Sequence, residues 1–172
     1  MRPLPHTRSC FVCGEANAFG LNLRFETDGR IVQARFRPRP EHAGFRGVVH
    51  GGLIATVLDE TMVWACAVAT RQFAFCAELC VRFLTPLRPE EEVLVSGELA
   101  ANRKNRILDA TAVMRTQAGV VIAEATGKYL PIKTADVSEM ISDLVGDSRW
   151  LVSSDPLPTP AGNAVTKPAE PS

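Results

Sequence analysis

The strongest pattern in this chain is a change of period. Residues 21 to 38, LNLRFETDGRIVQARFRP, alternate apolar and polar positions around Asp28-Gly29, which predicts a hairpin with strands near 21–27 and 30–37. Residues 38–49 carry Pro38, Pro40, Gly44 and Gly47 and read as a loop. The alternation then gives way to GGLIATVLDETMVWACAVAT, which is apolar on nearly every side and predicts a long helix over roughly 51–70. Three further strand-like runs follow, AFCAELCVRFLT, VLVSGELAA with its continuation, and RILDATAVMRT. A turn at 117–119 leads to a last strand, VVIAEATGKYLPI. Beyond Ile132 the segment VSEMISDLVG predicts a short helix, and SSDPLPTPAGNAVTKPAEPS reads as a disordered tail. No internal repeat is present. The chain therefore divides into an amino-terminal extension (1–18), a folded domain (19–132) and a carboxy-terminal segment (133–172).

The order is strand, strand, long helix, then four strands joined by short connections. Short connections favour antiparallel neighbours, so the expected class is α+β, an antiparallel sheet with one helix on one face. A helix apolar all round needs more cover than one sheet face supplies, and a partner subunit is the simplest source of it.

Composition narrows the function. Of 172 residues, 46% are hydrophobic and 22% charged, an ordinary globular balance. Lys plus Arg and Asp plus Glu are 19 each, so no net field recruits nucleic acid or an anionic membrane. The amino terminus has no apolar run of signal-peptide length, and no stretch reads as a membrane span, so the expected location is cytoplasmic. The five cysteines then read as reduced thiols. Cys10 and Cys13 form a CxxC whose zinc reading needs two further ligands. Only His6 lies near in sequence, so small residues packing a turn is the preferred reading and no metal is expected. His6 and His42 read as surface loop residues. Phe73, Phe75, Phe83, Met62 and Trp64 read mostly as core, with some free to line a binding tunnel.

Candidate chemistry is concentrated in the helix. Gly51 and Gly52 at its start allow close approach of another backbone or ligand, and the first amide N–H groups there lack intrahelical partners. With the helix dipole they form a ready oxyanion site. Asp59 lies two turns further in, where an unpaired buried carboxylate costs several kcal/mol. It is either satisfied by a neighbour such as Thr56 or His50, or kept for chemistry. Eight residues of helix put Gly51 and Asp59 about 12 Å apart. One helix cannot bring both to one carbonyl, whereas two antiparallel copies about a twofold axis can.

HGGLIATVLDE at 50–60, ELCVRFLTPLRPEEEV at 78–93, GVVIAEATGKY at 119–129 and CFVCGEANAFGLNLRF at 10–25 together resemble the hotdog-fold acyl-CoA thioesterases of the phenylacetate-pathway (PaaI-like) type. The likeness covers about residues 10 to 132. It implies a curved antiparallel sheet wrapped around one long central helix, in homodimers that often pair into tetramers, with active sites at the dimer interface. It implies Asp59 as catalytic base or nucleophile, Gly51 as the N–H that polarises the thioester carbonyl, and His50 as a shaping residue. Gly52, Glu60 and Cys76 are supporting candidates. Cys76 stands where relatives often carry a hydroxyl that assists water, and Gly44 stands where some carry asparagine.

The expected reaction is hydrolysis of an acyl-CoA to a carboxylic acid and free CoA, with no cofactor beyond the CoA of the substrate. Arg103, Lys104 and Arg106 in the turn NRKNR are candidates for its phosphates. Glu60 lies about 100° around the helix from Asp59 and reads as structural or as a backup acid. The alternatives are a non-catalytic acyl-CoA-binding module of the same fold and a hotdog hydratase or dehydratase. The latter normally pairs an Asp with a His at a β-carbon, and no second histidine lies close to His50 in sequence.

Overall fold

The computed structural model of the chain describes residues 1–132 and 137–151. Two short strands open it, β1 (Arg2–Pro3) and β2 (His6–Thr7), followed by the hairpin of β3 (Phe25–Thr27) and β4 (Val32–Phe36). A 3-10 turn (Pro40–His42) and the short strands β5 (Ala43–Phe45) and β6 (Val48–Val49) lead into helix α1 (Gly51–Thr70). Then come β7 (Ala74–Phe83), β8 (Val93–Arg103), β9 (Ile107–Thr116) and β10 (Val121–Pro131). Helix α2 (Val137–Ser142), strand β11 (Leu144–Val145) and a 3-10 turn (Arg149–Leu151) close the described part. The tail expected to be disordered, residues 153–172, lies outside the described residues.

Helix α1 starts where the pattern predicts, for a local reason. His50 has extended backbone (φ −62°, ψ 127°), and its Nδ1 accepts the Gly52 N–H at 2.9 Å, satisfying one orphan donor of the first turn. The helix stops at Arg71, which takes a left-handed conformation (φ 60°) and returns its N–H to Ala67. Between these ends Ile54, Val57, Leu58, Met62, Trp64 and Val68 are buried. By length and composition α1 could cross a membrane, contrary to the sequence-based reading, but its apolar residues form the core against the sheet.

The main sheet has seven strands in the order β1-β3-β4-β8-β9-β10-β7, with every pair antiparallel. Inward positions alternate along β8, β9 and β10: Val93 and Val95, Leu108, Ala110 and Met114, Ile122, Ala125 and Tyr129 all bury against α1. Each large apolar side chain buried this way contributes about 1.5–3 kcal/mol. Irregularities at Leu99/Ala101 and Lys128/Tyr129 add local bend and twist to the sheet around the helix. Strand β7 pairs with β10 and not with its sequence neighbour β8. The Pro-containing link 84–92 runs from the edge strand β7 to the interior strand β8 and is pinned by the Val49 N–H on Leu87 O at 2.9 Å.

The amino-terminal segment is part of this core. Strand β1 pairs with β3, and Leu4, Val12 and Cys13 are buried with α1 and the sheet. The first hairpin strand is accordingly shorter than the alternation predicts. Leu21 and Leu23 donate their N–H groups to Phe11 O and Val12 O, both at 2.8 Å, so the chain there pairs with the amino-terminal turn before β3 begins.

Candidate active site

The start of α1 presents the expected donor. Gly52 N–H is taken by His50, and the Gly51 N–H has no acceptor among the described residues. His50 is held in turn by its own N–H on His42 O at 2.8 Å. Gly44 packs on His50: a Cβ at position 44 would lie 3.0 Å from His50 Cδ2, so the larger residue some relatives carry would meet the imidazole. On the other side, the ring of Phe83 lies 3.3 Å from where a Gly51 Cβ would stand.

Asp59 is satisfied by neither Thr56 nor His50. The Thr56 hydroxyl donates to Gly52 O within its own helix. The partner of Asp59 comes from β10, where Tyr129 donates its phenolic O–H to Asp59 Oδ1 at 2.8 Å. Burial first, then the charge of Asp59 and this bond, hold the phenol protonated well above its usual range. Cys76 of β7 is the cross-strand partner of Tyr129, and its thiol interacts electrostatically with the same carboxylate. Burial, followed by donation to Asp59 and repulsion by its charge, pushes the Cys76 thiol up to about 11. The result is a carboxylate with one oxygen fixed by a phenol and a protonated thiol beside it. Such an acid can accept a proton from water or attack an electrophile itself. Sequence reasoning missed Tyr129 as a site residue, because a pairing across 70 positions leaves no local signal.

Glu60 faces elsewhere, as its helical offset predicts. Its Oε1 accepts from Cys13 Sγ at 3.5 Å and Cys10 Sγ at 3.8 Å. Burial, then the Cys10 charge, raises the Glu60 carboxyl to about 8. Within the thiol pair, donation from Cys13 to Cys10 lowers Cys10 and raises Cys13. Glu60 therefore does not join Asp59.

Other expectations change. His42 is buried and stacked on Phe36, with burial lowering its pKa, so it is no surface residue. His6 pairs with Glu15 at 3.0 Å. Met62, Trp64 and Phe73 are core, whereas Phe75 and Phe83 on β7 are 62% and 54% exposed. The basic turn caps the β8–β9 hairpin, with Lys104 and Asn105 left-handed at its tip (φ 56° and 54°). Arg103 is engaged by Asp109. Leu108 pairs with Asn102 on one side and Tyr129 on the other, so this tip lies at the Tyr129 end of the sheet.

Residues 46–122 match the family described as the thioesterase superfamily. No curated protein matches the chain. Among solved structures, a thioesterase superfamily protein is 26% identical with a TM-score of 0.66, covering 72% of this chain. The present chain spans 63% of that protein's length. The PaaI protein of E. coli, from the phenylacetic acid degradation operon, is 16% identical with a TM-score of 0.60 over 66% of this chain and 81% of its own. The smu.793 protein of Streptococcus mutans, solved bound to acetyl-CoA, is 17% identical with a TM-score of 0.59 over 69% and 94%. These likenesses share the architecture described above, one long buried helix against a curved antiparallel sheet. Over residues 46–122 the chain is similar to the thioesterase superfamily, and it shares the hotdog fold of these solved structures.

Proposed function

We propose that this protein hydrolyses an acyl-CoA thioester in a homodimer whose site joins Gly51 of one protomer to Asp59 of its partner. The observation that carries this reading is Asp59, an acid inside an apolar helix, with one oxygen fixed by Tyr129 and a Gly51 N–H without an acceptor among the described residues about 12 Å away at the helix start. Within one chain these groups are too far apart for one carbonyl. The 10-residue edge strand β7, carrying exposed Phe75 and Phe83, supports pairing with a second copy, since a long apolar edge is otherwise an association hazard. Two such dimers can pair further into a tetramer.

In this reading the substrate carbonyl oxygen accepts the Gly51 N–H, and the helix dipole adds to the stabilisation of the developing oxyanion. The partner's Asp59 either removes a proton from water or adds to the carbonyl carbon to form a mixed anhydride. In both routes the C–S bond breaks and CoA leaves as its thiolate; in the second, water then hydrolyses the anhydride, which releases the carboxylic acid and restores Asp59. His50 shapes the oxyanion end, and Gly52 keeps its backbone open. Lys104 and Arg106, with Arg103, are the groups we assign to the CoA phosphates. The PaaI-like type and a cytoplasmic setting belong to the same reading, supported by the fold shared with the E. coli protein and by acetyl-CoA in the S. mutans structure. No cofactor beyond the CoA of the substrate is assigned.

The test is thiol release from aryl, short, medium and long acyl-CoAs by the wild type and Asp59→Asn. The wild type should turn over at least one class, and the variant should stay dimeric and lose nearly all activity. Retention of more than a few per cent would remove Asp59 from the chemistry. Tight acyl-CoA binding without turnover by the wild type would favour a binding module.

A further inference from the structure

Sequence neighbours supply too few ligands for the CxxC to hold a metal, but the fold supplies another. Cys10 Sγ, Cys13 Sγ and a Glu60 carboxylate oxygen all lie within 4.8 Å of one another. We propose that Cys10, Cys13 and Glu60 bind a Zn²⁺ ion that clips the amino-terminal arm to helix α1, beside the Asp59 site but separate from it.

Geometry supports this on three counts. First, Zn–S of about 2.3 Å and Zn–O of about 2.0 Å at tetrahedral angles put sulfur and oxygen about 3.5 Å apart. The two S···O distances here are 3.5 and 3.8 Å. Second, the turn is built to present sulfur. Val12 N–H points at Cys10 Sγ at 3.2 Å, and Gly14 N–H returns to Cys10 O at 2.9 Å. The Thr7 hydroxyl lies 3.6 Å from Cys13 Sγ. A Cβ on Gly14 would stand 2.2 Å from Cys10 O, so the tight return after the second cysteine accepts only glycine. Donors aimed at sulfur are the outer-shell support a thiolate–metal site uses. Third, Cys10, Glu60 and Trp64 line one open cleft of about 700 Å³. A fourth coordination position can face that cleft and take water. His6 is not needed as a ligand, being paired with Glu15.

The donor set suits zinc: two soft thiolates and a carboxylate, with protons from the thiols released to solvent on binding. The charge balance also favours it. No cation is paired to any of the three groups among the described residues, so a divalent ion would meet no competing positive charge there. The function is then positional, fixing residues 10–13 onto the helix one residue from Asp59.

The test uses the full-length protein, stripped with chelator under reducing conditions and titrated with Co²⁺ as a spectroscopic probe, then with Zn²⁺ in competition. One ion per chain, a thiolate-to-cobalt absorption band and a higher Tm on Zn²⁺ addition are expected. Cys10→Ser should lose the band. Glu60→Gln should weaken affinity by about tenfold or more, since even outer-shell partners are worth about 10–100-fold. Both variants are checked for native circular dichroism, and the wild-type titration stands without them, because buried Cys13 is a poor site to mutate. Asp59→Asn should bind metal like the wild type, which separates this result from the hydrolysis reading. Absence of uptake by the reduced wild type overturns the proposal, as does an unchanged cobalt band in Cys10→Ser. A Cys10–Cys13 disulfide whose reduced form takes no metal also overturns it.

Discussion

Tyr129 on β10 donates its phenolic hydrogen to Asp59 Oδ1 at 2.8 Å, tying the last strand of the sheet to the middle of the buried helix. Fixing one carboxylate oxygen leaves the other free for substrate or water. A hydrogen bond to a charged group is worth about 1.5–3 kcal/mol, or roughly 10–150-fold in rate if it is needed in the transition state. Tyr129→Phe should therefore lower kcat by about that factor, with KM little changed. Steady-state kinetics on the best thioester decide it. A fully active Tyr129→Phe would make the phenol a packing element only.

Gly127 makes room for that phenol. A Cβ there would lie 2.6 Å from Tyr129 Cε2 and 2.9 Å from its oxygen, so the ring lies flat over the backbone two residues before it. Gly127→Ala forces the ring to shift, with an overpacking cost of about 1–3 kcal/mol. Urea unfolding should show that loss, and kcat should fall toward the Tyr129→Phe value. In the double variant the two kinetic effects should not add, because both act through the same bond. Additive losses would mean that Gly127 acts elsewhere.

Cys76 offers a pH readout of the same site. Its thiol is pushed up to about 11, by burial first and then by Asp59. A raised pKa means the reactive thiolate is scarce at neutral pH, about one part in a thousand near pH 8. Alkylation of Cys76 by a small reagent, followed by peptide mass spectrometry, should accelerate about tenfold per unit between about pH 7 and 9. Asp59→Asn removes the charge that opposes thiolate formation, so the reaction should speed up at fixed pH. A rate indifferent to both pH and Asp59 would separate Cys76 from the carboxylate.

These relationships divide what the sequence made legible from what it did not. The span of α1 was readable because its signals are local: an extended residue before two glycines, an unbroken apolar run, and no proline inside. Strands β8, β9 and β10 were readable within a residue or two from alternation. The pairing of β7 with β10 was not, since a link of nine residues can close a hairpin or cross the sheet edge. The site shows the same divide. Gly51, His50 and Asp59 share one short segment, and helical rise alone set their separation. Tyr129 on Asp59, and Glu60 on the Cys10–Cys13 pair, are contacts across 70, 50 and 47 positions, created by the way the sheet and the amino-terminal arm close over the helix. His42 misled because a loop residue can still be buried when a neighbouring aromatic, here Phe36, stacks on it.

The claim that two chains share each site has a decisive test in mixed dimers. Gly51→Pro deletes the N–H assigned to the oxyanion at little structural cost. Proline suits the first helical position, and the extended backbone of His50 is what a residue before proline prefers. A Cβ at this position meets only the half-exposed Phe83 ring within 4 Å. Gly51→Pro and Asp59→Asn homodimers should each be inactive. Unfolded together and refolded at equal amounts, about half the dimers should be mixed, and each mixed dimer regains one site with an intact Gly51 facing an intact Asp59. Activity should return to about a quarter of the wild-type level. If each site were built within one chain, every site in the mixture would carry one defect and no activity would return.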